Sequence, residues 1–523
     1  MSQPLETQVL IVGAGPVGLS LAIALTRLSV PVRIIDKSPA TKHQPRACVI
    51  WSRSEEVLRD LEVIQSFSAE SYKFHGAAVY ANGQHMGKLH LGNALSTYPY
   101  PMTIEQHETE RLLSQELAAL GVNVEFNTEA TNLRLFEDYA EITTIQPDGA
   151  EQTITCAWVV GCEGTRSLVR ETLAIPFEGE RRSNLQAVQV NAVPTWRYPI
   201  DNKLVYFFLA PNVSLMVIPI PGGGCRFFAF ITDPDPSQKE PPTLEEMRSL
   251  IAETAHTLEL QLELTEPVWL SRARFQDRVA ARLRQGRALL AGDAAHAWAP
   301  VGGHGMNTGI RGAHNLAWKL AAVQNGTAKL NLLDTYSDEQ RSTAQDVMNV
   351  MRFNFLELPL PAPGLWALQS VLPLILSVDP LKQWIDWTLS DLGMHYRQSP
   401  LSWQRILNNS LSSGDRLPDV SVIANSHSVS LHHVLTYDKW TLIFNTAAID
   451  KERFEQLYKI VSQYQTSIDV QPLLSANREA ERVLGHDRLL LIRPDGHIGL
   501  LTHSRNLQTL ADYLDTFLIR NSK

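Results

Sequence analysis

The segment VLIVGAGPVG, residues 9–18, decides how the N-terminal part of the chain folds. Its first four residues form an uninterrupted apolar run, which predicts a strand buried on both faces of a parallel sheet. Gly13 permits a tight turn after this strand, and Gly15 lets a bound group approach the backbone closely. Gly18 lets the next helix pack against the strand. Apolar side chains recur at helical spacing in that helix at Val17, Leu21, Leu25 and Leu28.

A second strand follows at Val32–Ile35 and ends in Asp36, about twenty residues after the glycines. A carboxylate in this position can accept hydrogen bonds from ribose hydroxyls, while the N-terminus of the preceding helix can hold a pyrophosphate. The order of strand, glycine turn, helix, strand and acid predicts a dinucleotide site, but it leaves open whether the dinucleotide is FAD or NAD. The residues predicted to bind it are Gly13, Ala14, Gly15, Pro16, Gly18, Asp36 and Lys37.

A motif far downstream decides between these two cofactors. The apolar strand RALLA at residues 287–291 is followed by GDAAH at 292–296 and PVGGHGMN at 300–307. Asp293 can accept hydrogen bonds from ribitol hydroxyls, and backbone N–H groups at the start of the next helix can donate to the flavin pyrimidine edge. NAD has no ribitol, so the two motifs together predict FAD. The residues predicted to bind FAD here are Asp293, Pro300, Gly303, Gly305, Met306 and Asn307.

The sequence GDAAHAWAPVGGHGMNTG, residues 292–309, resembles the GD motif of the class A flavoprotein monooxygenases, the para-hydroxybenzoate hydroxylase-like group. Other segments resemble this family in the same order along the chain. QPRA at 44–47 resembles the loop whose arginine, here Arg46, lies against the flavin. Gln106 resembles the glutamine near the isoalloxazine ring. VGCEGTRS at 160–167 resembles the DG motif, which the family associates with both FAD and the nicotinamide coenzyme.

The sequence departs from the family pattern at three positions. Glu163 stands where the DG motif usually has an aspartate, and its extra methylene lengthens the side chain. The resemblance implies that Glu163 binds the cofactor. Gly312 stands where an acidic residue is usual. His304 replaces a common glutamine between the glycines, close to where the flavin ring is expected. The resemblance identifies no catalytic residue, and Arg46 and His304 are the candidates.

The resemblance implies an activity as well as a cofactor. NADPH or NADH would reduce FAD, and reduced FAD would react with O2 to give a C4a-hydroperoxyflavin that hydroxylates a small aromatic substrate of phenolic or polyketide type. A phenol would be helped by a nearby base, which the sequence does not name. Epoxidation or Baeyer–Villiger insertion is the alternative outcome on the same scaffold. A non-enzymatic flavin-binding sensor is an alternative of another class.

The predicted fold is α/β, with a Rossmann-like FAD domain, an inserted substrate-binding β-sheet domain and a C-terminal thioredoxin-like domain. The predicted boundaries are 1–66, 101–174 and 276–345 for the FAD domain, 67–100 and 175–275 for the substrate domain, 346–410 for a helical segment, and 411–523 for the thioredoxin-like domain. No cysteine follows Cys225, so the last domain has no CxxC pair and is expected to serve structure or oligomerisation rather than redox chemistry.

The substrate pocket is expected between the inserted sheet and the flavin ring, because concave apolar sites often lie between domains. Large apolar side chains alternate along the strands of that sheet, so one face of each strand could reach the pocket. Ordinary core packing accounts for the same side chains. The residues predicted to line the pocket are Tyr206, Phe208, Met216, Ile218, Phe228 and Trp298.

Composition narrows the function classes further. The 523 residues carry a formal net charge of −9, and the basic residues are not grouped, so nucleic acid is not an expected partner. His296, His304 and His314 lie around one bend without a carboxylate as third ligand, so no metal is expected. The apolar stretch 365–378 is too short to span a membrane, and no signal peptide is evident. A cytoplasmic enzyme is therefore expected, and a homodimer is left open.

Overall fold

The computed structural model describes residues 5–40, 44–92, 95–258, 261–406, 411–446 and 449–521. These residues form three large sheets and one small three-stranded sheet, with strands and helices numbered here in chain order. The first sheet contains the N-terminal strand, and its strands lead into two glycine motifs: the first at residues 13–18 and the second at residues 292–307. The second sheet faces it across a cavity, and the third sheet lies in the C-terminal part of the chain.

The first sheet has the order β17-β18-β11-β1-β2-β8. The pairs β18–β11, β11–β1, β1–β2 and β2–β8 are parallel, and the apolar residues 9–11 of β1 are fully buried because helices cover the faces of such sheets. A hairpin, β9–β10, continues from β11. The strands are β1 (Thr7–Val12), β2 (Val32–Ile35), β8 (Val124–Glu125), β9 (Glu129–Leu135), β10 (Ala140–Ile145), β11 (Glu151–Gly161), β17 (Arg284–Gln285) and β18 (Ala288–Leu290).

Helix α1 follows the glycine turn, with Gly15 as its N-cap and Pro16 as its first residue, a position where proline's missing N–H and fixed φ suit a helix start. It packs between α4 and α7, which completes the Rossmann-like unit. A small sheet, with the order β3-β7-β4, lies nearby. These elements are α1 (Pro16–Arg27), β3 (Val49–Ile50), α2 (Ser52–Asp60), α3 (Ile64–Glu70), β4 (Tyr72–Lys73), β7 (Met102–Thr103), α4 (Gln106–Ala119), α5 (Leu168–Thr172) and α7 (His304–Gln324).

The second sheet has the order β19-β16-β12-β15-β14-β13-β5-β6 and is antiparallel except where β13 pairs with β5. Its strands come from separate segments of the chain, inserted between parts of the first sheet. Its far face packs on helix α6 (Leu244–Thr254). The strands are β5 (Gly76–Ala81), β6 (Gln84–His90), β12 (Phe177–Thr195), β13 (Leu204–Ala210), β14 (Val213–Pro219), β15 (Cys225–Thr232), β16 (Glu263–Ala280) and β19 (His296–Ala297).

Three helices follow α7 and cover one end of the second sheet. Helix α8 spans Asn331–Met351, α9 spans Ala362–Ile375, and α10 spans Asp379–Leu389. Apolar side chains of α9, including Leu365 and Leu372, pack against strands β5, β6 and β13. Among the described residues no single helix has the length and apolarity to cross a membrane, although α9 and α10, which bend by 106° at their junction, pass that test as a pair.

The third sheet has the order β20-β26-β25-β23-β24-β21-β22. Strand β23, helix α11 and the parallel strand β24 are followed by an antiparallel β25–β26 pair and a final helix, an arrangement consistent with the predicted thioredoxin-like fold. The elements are β20 (Trp403–Gln404), β21 (Ser421–Ala424), β22 (His427–Ser430), β23 (Trp440–Asn445), α11 (Lys451–Val461), β24 (Ile468–Ser475), α12 (Arg478–Leu484), β25 (Arg488–Ile492), β26 (Ile498–His503) and α13 (Leu507–Phe517).

A buried ionic network joins this C-terminal unit to α7 and α8. Arg493 contacts Glu339 of α8 at 2.7 Å and Asp495 at 2.5 Å, and Lys319 of α7 contacts Glu339 at 2.6 Å. Burial alone would raise the pKa of Glu339, but the charges of Arg493 and Lys319 outweigh it and lower that pKa to about 2. The network therefore fixes helix α7, which leads out of the second glycine motif, against the third sheet.

Candidate functional site

A cavity of about 740 Å³ lies between the carboxyl ends of strands β1, β11 and β18 and one face of the second sheet. In open α/β sheets this end of the strands is where ligands bind. The cavity is bordered by both glycine motifs, by the loops containing Arg46 and Glu163, and by strands β13, β14 and β15. The two sequence motifs that predicted FAD therefore meet at one cavity, although about 280 residues separate them.

The first glycine motif forms one end of the cavity. Gly13 has a φ of 106°, which favours glycine, and a Cβ on Gly18 would lie 2.0 Å from the carbonyl oxygen of Gly13. Gly18 is therefore needed for helix packing and does not line the cavity. Asp36 Oδ2 accepts a hydrogen bond from Ala14 N at 2.8 Å, and its Oδ1 accepts one from Ser38 N at 2.7 Å. The carboxylate thus links the glycine turn to the segment that follows β2.

The second glycine motif forms the opposite wall. Gly302 and Gly303 have φ values of 73° and 67°, and α7 begins directly after them. The indole Nε1 of Trp51 donates to Gly302 O at 2.8 Å, and Glu357 Oε2 accepts from Gly302 N at 2.8 Å. Both backbone polar groups of Gly302 are therefore hydrogen-bonded, which restricts the conformation of the loop. Gly305 and Met306, in the first turn of α7, face the cavity.

Asp293, at the start of the same motif, projects into the cavity. Desolvation by the surrounding protein raises the pKa of its carboxyl, and the nearby charge of Arg46 opposes that rise. Trp298 also lines the cavity and stacks on His296, with ring centroids 5.0 Å apart. Burial lowers the pKa of His296 to about 4, so this histidine is neutral at physiological pH.

The Arg46 loop is fastened to the second sheet by a buried arginine. Arg226, which is 2% exposed, donates to the carbonyl oxygens of Pro45 and Arg46 and contacts Glu105 Oε1 at 3.1 Å. Gln106 joins the same loop, because its Oε1 accepts from Ala47 N at 3.3 Å. The Arg46 side chain stays exposed. Its guanidinium donates to Gln44 at 3.0 and 3.2 Å.

Glu163 borders the cavity, but its carboxylate also organises its own loop. Oε1 accepts from Val169 N at 3.0 Å, and Oε2 accepts from Ser167 Oγ at 2.9 Å. Burial raises the pKa of Glu163, and these hydrogen bonds oppose the rise. The longer side chain, compared with the usual aspartate, reaches both groups at the N-terminus of α5.

The inner face of the second sheet forms the apolar end of the cavity. Phe207 of β13, Met216 of β14 and Phe228 of β15 are directly opposite one another in the strand register, and Ile218 of β14 lies on the same face. Cross-strand neighbours share a face because side chains alternate along each strand. These residues form a flat apolar wall facing the two glycine motifs.

Tyr206 and Phe208 do not belong to this wall, and their predicted position in the pocket is corrected. They point to the opposite face, where they pack with Tyr80, Tyr198 and α6. The run of residues 205–209 is apolar at every position, so the sequence gives no alternation that fixes which side chains face the cavity. The register with β14 places Phe207 there instead.

Three other predicted residues lie outside the cavity. His304 is 1% exposed, and its Nδ1 is 2.9 Å from Asp391 while its ring stacks on Trp51. Asn307 is buried and donates to Val49 O at 2.9 Å, which supports the second glycine loop from behind. Lys37 has a side chain that is 71% exposed and contacts Glu129 at 3.7 Å. His304 is therefore not placed to act directly on a ligand.

Several residues that line the first cavity were not predicted from the sequence. Arg226 stands two residues before Phe228 on β15, so strand alternation places both on one face, and this signal was available in the sequence. Gln189 reaches that face through the pairing of β12 with β15, which places it opposite Phe228. Glu357 lies in the connection after α8 and is distant in sequence from every motif. The lining residues that were not predicted include Gln189, Phe207, Arg226, Trp269 and Glu357.

A second cavity, of about 570 Å³, adjoins the first beside Asp293, Trp298 and Gly305. Its lining includes three arginines, Arg181, Arg182 and Arg274. Arg182 is paired with Asp277 at 2.6 Å.

The groups around the first cavity fit FAD. Gly15 and Gly305 have open space where a Cβ would stand, so the backbone at the start of both helices is accessible. Two helix N-termini supply N–H donors for a pyrophosphate and a flavin edge, and Asp36 and Asp293 supply acceptors for hydroxyl groups. The apolar wall lies opposite, where a flat ring system would be enclosed.

Comparison with known proteins agrees with this geometry. Residues 6–351 match a family described as FAD binding domain. The chain is 31% identical to 6-methylpretetramide 4-monooxygenase from Streptomyces rimosus over 76% of its own length and 71% of the relative. It is 30% identical to pentachlorophenol 4-monooxygenase from Sphingobium chlorophenolicum over 80% and 77% of the two lengths.

A solved structure has the same architecture. The anhydrotetracycline hydroxylase OxyS from Streptomyces rimosus superposes with a TM-score of 0.79 at 26% identity, over 98% of this chain and 99% of that one. The predicted α/β fold class is confirmed by this agreement over nearly the whole length. The chain therefore belongs to the class A flavoprotein monooxygenases and is an FAD-dependent monooxygenase of the aromatic-hydroxylase type.

Proposed function

We propose that the enzyme hydroxylates a phenolic aromatic substrate, of polyketide or related polycyclic type, at the apolar wall formed by Phe207, Met216 and Phe228. The wall is the observation that carries this proposal. It is flat, it faces both glycine motifs, and it continues into a polar corner at Arg226 and Gln189. An aromatic ring system can stack on such a surface while its oxygen atoms reach the polar corner.

The same proposal assigns the FAD contacts residue by residue. Gly13, Ala14, Gly15 and Pro16 hold the pyrophosphate at the N-terminus of α1, and Asp36 accepts from the ribose. Asp293 accepts from the ribitol, and the residues that line the cavity from the second motif, Pro300, Gly303, Gly305 and Met306, surround the flavin edge. Bound FAD supplies the redox chemistry, accepting hydride from NADPH or NADH and activating O2.

The second cavity supports a place for the coenzyme. Arg181, Arg182 and Arg274 border it, and guanidinium groups suit the phosphates of a nicotinamide dinucleotide. Arg46 and Glu163 border the first cavity on the neighbouring side. We place the coenzyme in the second cavity, so that it and the aromatic substrate reach the flavin from different directions.

The relatives' names agree with an aromatic substrate. They describe enzymes acting on 6-methylpretetramide, pentachlorophenol and anhydrotetracycline. A phenol carrying fused rings would use the full width of the wall from Ile218 to Phe228. A monocyclic phenol would leave part of that apolar surface exposed to water, which reduces the hydrophobic gain on binding.

The experiment is a comparison of substrates by coenzyme oxidation. The holoenzyme is mixed with NADPH or NADH in air, and fused-ring phenols are compared with monocyclic phenols for the rate of coenzyme oxidation and for product by mass spectrometry. The proposal expects faster oxidation and one added hydroxyl with the fused-ring phenols. Epoxide or lactone products would assign the other outcomes of this scaffold, and no stimulation by any phenol would contradict the proposal.

A further inference from the structure

A buried carboxyl group lies where the apolar wall meets the second glycine motif. Glu357, in the connection between α8 and α9, is 6% exposed and borders the first cavity. Its Oε2 accepts from Gly302 N at 2.8 Å, and its Oε1 accepts from Asn354 Nδ2 at 3.2 Å. Each carboxylate oxygen has about two acceptor positions, so both oxygens can accept a further hydrogen bond from a ligand hydroxyl.

The backbone of Glu357 is fixed beside the substrate wall. Ser214 Oγ of β14 donates to the carbonyl oxygen of Glu357, and Met216 lies two residues further along the same strand. The flanking residues Leu356 and Leu358 pack into the two apolar clusters that include Met216. The carboxyl group therefore lies on the cavity beside the apolar wall, at the second glycine motif that is proposed to surround the flavin edge.

Burial raises the pKa of Glu357 to about 7, while the hydrogen bond from Gly302 N and the charge of His304 oppose the rise. His304 faces it from α7 and is itself paired with Asp391, which Arg311 also approaches at 3.4 Å. The Cys48 thiol borders the same cavity directly before β3. Its pKa is raised mainly by burial, the charge of Arg226 opposes the rise, and Glu105 and, least, Glu357 add to it. A group that titrates near neutrality gives and takes protons efficiently at physiological pH.

We propose that Glu357 is the catalytic base that removes the hydroxyl proton of the bound phenol. This inference rests on the proposed function. The O–H bond of the phenol breaks, its electron pair stays on the oxygen as phenolate, and the proton forms a new O–H bond on the Glu357 carboxylate. The phenolate is the more electron-rich ring and the better acceptor of an electrophilic oxygen. Oxygen transfer makes the phenolate oxygen a ketone and places the new hydroxyl on a ring carbon that still carries hydrogen. When that C–H bond breaks, its proton leaves to water and its electron pair restores the aromatic ring, and the former phenolate oxygen takes back the proton held by Glu357.

A purely structural role for Glu357 makes a different prediction. Such a role would consist of holding Gly302 N, and a glutamine amide oxygen can accept the same hydrogen bond without accepting a proton. Glu357→Gln should therefore keep the second glycine loop and FAD binding, and it should lose only proton transfer. A matched control is Glu55→Gln, because Glu55 is also a buried carboxyl with a raised pKa but does not border the cavity.

The test follows the ionisation of a coloured phenol, 2-hydroxyanthraquinone, bound to oxidised holoenzyme. Visible difference spectra are recorded from about pH 6 to about pH 9 for the wild type, Glu357→Gln and Glu55→Gln. We expect the phenolate band in the wild type and in Glu55→Gln to reach its full height at least about one pH unit above that in Glu357→Gln, because Glu357 and the phenol share their last proton and an ionised carboxylate disfavours a second negative charge beside it. FAD affinity should be the same in all three proteins.

Each other result overturns a specific step. A phenolate band with the same midpoint in Glu357→Gln and the wild type would show that Glu357 is not the base, while the proposed function would stand. The same midpoint with weakened FAD binding would assign Glu357 to loop support only. If wild-type holoenzyme does not bind 2-hydroxyanthraquinone, the proposed substrate class fails, and this inference fails with it.

Discussion

Asp36 and Ala14 are joined across the glycine turn by a hydrogen bond of 2.8 Å from Ala14 N to Asp36 Oδ2. The other oxygen of the same carboxylate accepts from Ser38 N at 2.7 Å. One side chain thus ties the end of β2 to the start of α1. It shapes the turn even before any ribose is bound, so its removal should affect FAD both through a lost contact and through the turn itself.

Replacing Asp36 by alanine should weaken FAD binding by about 1–3 kcal/mol, the effect of losing hydrogen bonds to a charged acceptor. Titration of apoenzyme with FAD, followed by quenching of flavin fluorescence, measures the change. Lys37→Ala serves as the control, since the Lys37 side chain is exposed and lies outside the cavity. Equal FAD affinity in Asp36→Ala and the control would remove Asp36 from the site.

Phe207 and Phe208 are adjacent on β13 but face opposite sides of the sheet. Phe208→Ala should destabilise the fold by about 3–5 kcal/mol, because it leaves a cavity in the core behind the sheet. Phe207→Ala should cost less stability but weaken binding of 2-hydroxyanthraquinone about tenfold, because it removes an aromatic face from the wall. Thermal unfolding and ligand titration of both variants measure the two effects. Reversed effects would show that the face assignment of β13 is wrong.

The glycine motifs and strand β13 differ in how well the sequence alone predicts them. The turn at Gly13, the acid at Asp36 and the motif at Asp293 carry local signals, because helix starts and strand ends demand particular residue types. No such local signal shows which side chains of β13 face the cavity, since every residue from 205 to 209 is apolar. Only its pairing with β14, which forms through long-range contacts, selects Phe207 over Phe208.

Contacts between residues far apart in the sequence also explain why the positions of His304 and Glu357 were not predicted. His304 stands between glycines in the motif, yet its ring turns away toward Asp391, a residue nearly ninety positions later. Glu357 enters the site only because the connection after α8 returns to β14 and Gly302. The proposed domain boundaries and individual cofactor contacts remain predictions for direct measurement.

Arg493 should be essential for stability. Arg493→Met would leave Glu339 and Asp495 as buried charges without their main partner, which typically destabilises a protein by about 3–5 kcal/mol. Denaturant unfolding measures the loss. Arg520→Met is the comparison, because Arg520 pairs with Asp515 at the surface, where water screens the pair, and a much smaller effect is expected. Similar losses in both variants would contradict the structural role of the buried network.

Glu55 should make the protein less stable as pH rises. Burial raises its pKa from 4.5 to about 8, against the opposing charge of Lys73, so the folded state holds its proton more tightly than the unfolded state. The resulting stabilisation is complete below the unfolded pKa and is lost as pH rises toward 8. Glu55→Gln should therefore gain stability relative to the wild type between pH 5 and pH 8, by an amount on the order of a few kcal/mol.

Melting temperatures of both proteins across this pH range measure the effect, with Glu129→Gln as an exposed-carboxylate control. A constant difference between Glu55→Gln and the wild type at all pH values would show that Glu55 ionises normally.

The most direct test of the central claim is the source of the oxygen atom in the product. The holoenzyme is supplied with NADPH or NADH, a fused-ring phenol that stimulates coenzyme oxidation, and isotopically labelled dioxygen in unlabelled water. The account predicts a hydroxylated product that carries one labelled oxygen atom for each coenzyme oxidised. Product oxygen drawn from water, or coenzyme oxidation that yields only hydrogen peroxide with every phenol tested, would contradict it.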